Sequence, residues 1–179
     1  MERATGSDAA AILALRDALA HWQIERGIDQ WRPSEISPDN IAIQAEAGLW
    51  FVLRDTADPS TLIATAQVLN SDARFWGAER GHDGTAGYLH GLMVRRSHAG
   101  LGLGSQILDW FEQFVLDCGR SIARLDCQAR NGALRQYYRR HGYSESGLTE
   151  FDPKTGLNPV CLFEKHLVHE EDRTGHDVG

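Results

Sequence analysis

The chain has 179 residues, 42% hydrophobic and 24% charged, which fits one folded domain with a sizeable core. A net charge of −7 speaks against a general nucleic-acid binder, which would carry a basic face, and no apolar run approaches the ~20 residues of a membrane span. The same charge attracts a cationic small substrate at long range, or serves solubility alone.

The N-terminal stretch "MERATGSDAAAILALRDALAHW" sets Arg16, Asp17 and His21 where a signal peptide needs an apolar run, so the chain is expected to be cytoplasmic. Cys118, Cys127 and Cys161 are odd in number and lack metal spacing. They are expected to be buried thiols of a reduced compartment, with no metal site.

From Ser7, Ile12, Leu15, Leu19 and Trp22 fall on one helical stripe that Gly27 stops. "SPDNIAIQAEAG" predicts a second, short helix, with Ser37 as N-cap, Pro38 in the first turn and Gly48 past the end. "LWFVLRD" and "TLIATAQVL" predict an antiparallel strand pair turning at Ala57-Asp58-Pro59-Ser60. "NSDARFWGAERGHDGTAG" has four glycines and no period, and is expected to be a long functional or mobile loop. "YLHGLMV" is the next strand, followed by the glycine loop of "RRSHAGLGLGSQIL" and a helix from Gly102 to about Cys118. Its buried face is Leu103, Ile107, Phe111, Phe114 and Val115. Then come a strand "SIARLDCQA", a short helix "NGALRQYYRRH" ended by Gly142, a short strand "YSESG" and a last strand "PVCLFEKHLV". The polar tail 169–179 is expected to be disordered, leaving 1–168 as one domain. The strand–helix–strand centre predicts a right-handed parallel crossover in a mixed α/β sheet of six or seven strands with flanking helices.

The glycine loop carries the chemistry. The first N–H groups of a helix have no intrahelical partner, the dipole is positive there, and glycines let the backbone approach an anion closely. Such a loop suits a diphosphate, and three cofactor types use one. A nucleoside-triphosphate loop needs Gly-Lys-Ser/Thr, but Ser105 follows Gly104 with no lysine. A dinucleotide turn needs Gly-x-Gly-x-x-Gly, but Ser105 or Ile107 falls on the third glycine, and too little chain follows for that fold. Asp126 does mimic its ribose-binding acid, so an oxidoreductase stays as a weak rival.

The third cofactor is coenzyme A. The segment "LMVRRSHAGLGLGSQIL … LDCQARNGALRQYYRRHGY" resembles the GCN5-related N-acetyltransferases over about residues 87–145. Gly102-Leu103-Gly104 match that family's Gly-x-Gly, and Asn131, Tyr138, Gly142 and Tyr143 match its downstream part. The resemblance implies a mixed sheet with a splayed central parallel pair, and acetyl transfer from acetyl-CoA to a primary amine of a small molecule or peptide. It implies cofactor contacts from the strand Leu92, Met93 and Val94, the loop Ala99, Gly100, Leu101, Gly102, Leu103, Gly104 and Ser105, and from Asn131 and Tyr138. The family's Arg/Gln falls on Ala99, so that side-chain contact is missing; Arg95 or Arg96 is left to supply it, or both are solvated surface. A silent acyl-CoA-binding module is the other alternative. The protein is expected to be a monomer or homodimer.

Acetyl transfer needs a base for the amine proton, an N–H donor for the thioester oxygen, an acid for the leaving thiolate and two aligned substrates. Tyr138 is the candidate acid, sharing a helix face with Asn131 by i, i+7 spacing; the alternative is a core aromatic. Tyr137 is expected to pack. Gly91 inside its strand fits a bulge or close approach. His90 is a candidate base, since an unperturbed imidazole titrates near neutral pH; the alternative is a hydrogen-bonded core residue. Asp126 lies five residues before Asn131, where members that acetylate protein N-termini carry a catalytic glutamate. Tyr88 matches the strand position of the glutamate base in histone-acetylating members. The acceptor site is expected to use Trp31, Trp76 and Tyr88, with Asp29, Glu35, Asp72 and Phe75 nearby, an aromatic and acidic lining for an ammonium group.

Overall fold

The computed structural model describes residues 1–28 and 30–168. In chain order its elements are β1 (Glu2–Arg3), α1 (Ala9–Ile24), α2 (Pro38–Glu46), β2 (Trp50–Arg54), β3 (Leu62–Leu69), α3 (Ala73–Arg80), β4 (Ala86–Val94), α4 (Leu103–Asp117), β5 (Ile122–Gln128), α5 (Gly132–Arg140), β6 (Ser144–Thr149) and β7 (Val160–His166). The strands form one seven-stranded mixed sheet in the order β1-β2-β3-β4-β5-β7-β6. β4 and β5 are the parallel pair, in register from Ala86↔Ile122 to Leu89↔Leu125. β7 runs antiparallel to both β5 and β6.

Two compact units make up the chain: residues 1–68 with 90–108, and residues 69–89 with 109 onward. Neither is a continuous stretch: the boundaries fall inside β3, β4 and α4. The tail 169–179 lies outside the described residues.

In the first unit, α1 and α2 pack on β2, β3 and β4 through Ile12, Leu15, Leu19, Ile41, Ala45, Trp50, Val52, Leu62 and Met93. α1 begins at Ala9 rather than Ser7, after a tight turn in which the Asp8 carboxylate accepts the Thr5 N–H at 2.9 Å. α2 starts as its sequence dictates, with the Ser37 hydroxyl accepting the Asp39 N–H at 3.2 Å. Trp50 of β2 is buried and donates its indole N–H to Gln44 Oε1 at 2.9 Å.

The second unit corrects the sequence reading. The stretch expected to be a long loop contains α3, capped by Asp72, whose carboxylate accepts the Phe75 N–H at 3.3 Å. Gly77 sits inside it with φ 75°, a left-handed kink that breaks the apolar period and hides the helix. What fastens α3 is long-range. Trp76 is buried, with the Arg80 and Arg124 guanidiniums 4.6 and 4.9 Å from its ring centroid. Arg124 of β5, 4% exposed, donates to Asp83 at 2.7 Å, to the Arg80 carbonyl at 2.6 Å, to the Tyr88 hydroxyl at 3.0 Å and to Glu164 at 3.3 Å. A buried cation is tolerable only when so completely partnered. Cys127 and Cys161 face each other across β5 and β7 and are buried; burial pushes the Cys127 thiol up to about 12. Cys118, expected to be buried as well, is exposed just past the end of α4.

Candidate active site

The first unit holds the glycine loop between β4 and α4. Arg95 anchors its start, its N–H to the Ile63 carbonyl and its Nε to the Leu62 carbonyl, each at 2.8 Å. A tight turn over Arg96–His98 follows, and Ala99 is extended and exposed. Gly100 and Gly102 then take φ 82° and 75°, values that L side chains avoid. A Cβ on Gly100 meets no heavy atom within 4 Å, and one on Gly102 meets only Gln106 Nε2 at 3.9 Å. Leu101 between them is 63% exposed. Leu103, Gly104 and Ser105 form the first turn of α4, the positive end of the helix dipole. The loop is thus a run of backbone with room beside its glycines at the start of a helix, which suits the diphosphate of coenzyme A.

On β4, Met93 is buried in the α1–α2 core, while Leu92 and Val94 are half-buried. Met93 therefore offers a ligand only its backbone. Gly91 has φ 53°, and its carbonyl accepts the Thr65 hydroxyl at 2.9 Å. A Cβ there would stand 2.8 Å from the Trp50 ring, so only glycine fits this bend. His90, just before it, is half-buried.

The second unit holds the other motif. Asn131 is the N-cap of α5, its side-chain oxygen accepting the Leu134 N–H at 3.0 Å. It thus stands at the end of the helix, seven residues before Tyr138, with its side chain turned onto the first turn. Tyr138 is buried, with Phe163, Tyr137 and Tyr143 rings at 5.5, 5.7 and 6.2 Å. Burial first, then Cys127 and Asp126, push its phenol well above the usual tyrosine range. It stays protonated at neutral pH, the state an acid needs. Asp126 is half-buried on β5, one residue past the Leu89↔Leu125 pair and opposite Leu162.

The aromatic and acidic groups expected to receive an ammonium already have partners inside the chain. Trp31 lies under the Arg16 guanidinium at 5.6 Å, and Glu35 takes Arg16 in an ion pair. Trp76 carries Arg80 and Arg124. Tyr88 is wholly buried, donating to the Arg80 carbonyl while accepting from Arg124. Asp72 caps α3, and Phe75 meets Phe151 edge-on at 5.3 Å. Asp29 lies outside the described residues. Sequence reading also missed the pairing of Trp22 with Arg96, because Trp22 continues the apolar stripe of α1. Among the described residues no group of His, Cys, Asp and Glu could hold a metal ion, and no helix is long and apolar enough to cross a membrane.

Comparison with known proteins agrees with the family resemblance. The model of the acetyltransferase (GNAT) family matches residues 15–143. The uncharacterized N-acetyltransferase YesJ of Bacillus subtilis (strain 168) is 33% identical over 166 residues, covering 91% of this chain and 87% of that protein. A GNAT-family acetyltransferase structure from Listeria monocytogenes 4b F2365 superposes with a TM-score of 0.75 at 26% identity, covering 93% of each chain. The yncA structure from Salmonella typhimurium, solved with its cofactor acetyl-CoA, superposes at 0.65 with 16% identity over 94% of each chain, a likeness of fold.

Proposed function

Since the chain belongs to the acetyltransferase (GNAT) family, whose cofactor is acetyl-CoA, we propose that it moves an acetyl group from acetyl-CoA to a primary amine of a small molecule or peptide. The observation that carries this reading is the room beside Gly100 and Gly102 at a helix start, where only the Gln106 side chain comes within 4 Å. Bound acetyl-CoA supplies an acyl carbon activated as a thioester.

The chain's residues then have distinct tasks. Backbone N–H groups from Gly100 to Ser105 hold the diphosphate, and an N–H on the strand Leu92-Met93-Val94 holds the acyl oxygen. His90 or Asp126 takes the amine proton, so that nitrogen can form the C–N bond. As the C–S bond breaks, Tyr138 gives its phenol proton to the departing sulfur. The phenol is protonated at neutral pH and so carries a proton to give, although burial makes it a weaker acid than a free tyrosine.

The test is thiol release from acetyl-CoA with the full chain and a panel of small primary amines and peptides. Amine-dependent release is the expected result. Acetyl-CoA binding with no thiol from any amine would favour the silent binding module. A requirement for NAD(P)H would return the oxidoreductase.

A further inference from the structure

Two adjacent arginines open the glycine loop, and the fold uses them differently. Arg95 is consumed by the Leu62 and Ile63 carbonyls. Arg96 is exposed, and its guanidinium lies 4.0 Å from the centroid of the Trp22 ring near the end of α1. A second guanidinium, Arg26, lies 4.4 Å from the same ring, but it also donates to the Trp22 carbonyl at 3.5 Å and sits 3.9 Å from Glu25. Arg96 has no carboxylate in ion-pair range among the described residues. The net charge of the chain is −7, yet among the described residues Arg96 faces an indole rather than a carboxylate.

Stacking on an indole fixes the plane of a guanidinium and leaves its edge N–H groups pointing outward. Those forked donors match the oxygens of a phosphate. Arg96 is three residues before Ala99, where an arginine or glutamine stands in the family pattern and where this chain has only a methyl group. We propose that Arg96, carried on Trp22, grips a phosphate of coenzyme A in place of the side chain missing at Ala99. The inference rests on the acetyl-CoA reading.

Calorimetric titration of the full chain with acetyl-CoA tests it. Arg96→Gln is expected to weaken binding by about tenfold, the loss of one charge-assisted contact. Trp22→Leu, which frees Arg96 from its platform, should weaken it by roughly threefold through lost preorganisation. Arg26→Gln should leave affinity within a factor of about two, as a surface charge without a ligand contact. Adding Ala99→Arg to Arg96→Gln should recover most of the loss. Dephospho-coenzyme A identifies the group: a loss that vanishes with it points to the 3′-phosphate, and one that persists points to the diphosphate. Wild-type affinity in Arg96→Gln, equal losses in Arg96→Gln and Arg26→Gln, or no recovery by Ala99→Arg would overturn the proposal. A wild-type chain that does not bind acetyl-CoA would overturn the functional reading instead, without any variant.

Discussion

Gly102 and Gly156 provide a matched pair. Both hold left-handed backbone, at φ 75° and 68°. A Cβ on Gly156 meets nothing within 4 Å, and one on Gly102 meets only Gln106 Nε2 at 3.9 Å, an ordinary contact. Alanine at either position therefore adds backbone strain and no collision, roughly 1–2 kcal/mol each. For a chain of this length that lowers the melting temperature by roughly 2–8 °C. The two variants part company on ligand. At Gly102 the new methyl group occupies the space over the loop amides. Losing one charge-assisted N–H contact to a diphosphate costs about 1.5–3 kcal/mol, so Gly102→Ala should bind acetyl-CoA at least about tenfold more weakly. Gly156→Ala should bind it as the wild type does. Saturating acetyl-CoA should stabilise the wild type and Gly156→Ala alike, by about 2.7 kcal/mol at a hundred times Kd, and Gly102→Ala less. Calorimetric titration and thermal melts of the three chains decide the matter. Unchanged affinity in Gly102→Ala, or equal weakening in both variants, would refute the assignment of the loop.

Tyr138→Phe should lower turnover by roughly 10²-fold with little change in acetyl-CoA affinity, whereas Tyr137→Phe should leave turnover nearly intact; equal small effects in steady-state thiol release would remove Tyr138 from the chemistry. His90→Ala and Asp126→Asn should divide the base assignment: the true base takes with it a titration from the pH–rate profile, and a variant that keeps both rate and profile marks a structural residue. Gly91→Ala adds left-handed strain to a 2.8 Å approach to the Trp50 ring, about 2–5 kcal/mol together, and a urea-midpoint shift worth less than about 1 kcal/mol would contradict the bend. Arg124→Met should cost about 1–3 kcal/mol, chiefly because the buried Tyr88 hydroxyl and the Arg80 carbonyl lose their donor, while the exposed Asp83 is resolvated. Burial raises the Asp83 carboxyl, but the Thr85 N–H and Arg124 outweigh it and hold it below the ordinary aspartate value. Its stabilisation is thus present above about pH 4 and lost as pH falls through the lower folded value. In Arg124→Met that part of the acid dependence should flatten, as denaturant titrations across pH 2–5 would reveal.

What the chain discloses in advance follows the range of the forces involved. The glycine loop and both early helices are written locally, in residues whose backbone angles or caps permit nothing else: Gly100, Gly102, Ser37 and Gly48. α3 is not, because Gly77 interrupts its period and its anchor, Arg124, lies 48 residues after Trp76. The partners of the expected acceptor lining are long-range for the same reason. Trp31 and Glu35 read as a cation's receptors, and in the fold both engage Arg16. Asn131 shows a different limit: spacing fixed its distance from Tyr138 and said nothing of the cap, which turns its side chain back onto Leu134. The identity of the base stayed open in the sequence, since His90 and Asp126 are both polar residues on strands and alternation fits each.

Of the five tryptophans, two are buried, and each unit has one: Trp50 in the first and Trp76 in the second. Trp22, Trp31 and Trp110 are partly exposed. An indole removed from water emits at shorter wavelength, so the blue edge of the fluorescence spectrum belongs to these two residues. Trp76→Phe leaves that edge to Trp50, whose neighbour is the Gln44 amide; Trp50→Phe leaves it to Trp76, flanked by two guanidiniums. The chain thus carries an optical probe in each unit. Melting curves from the two variants that coincide, once each is referred to its own midpoint by circular dichroism, mean that the units unfold as one cooperative body; curves that separate mean that one opens while the other still holds.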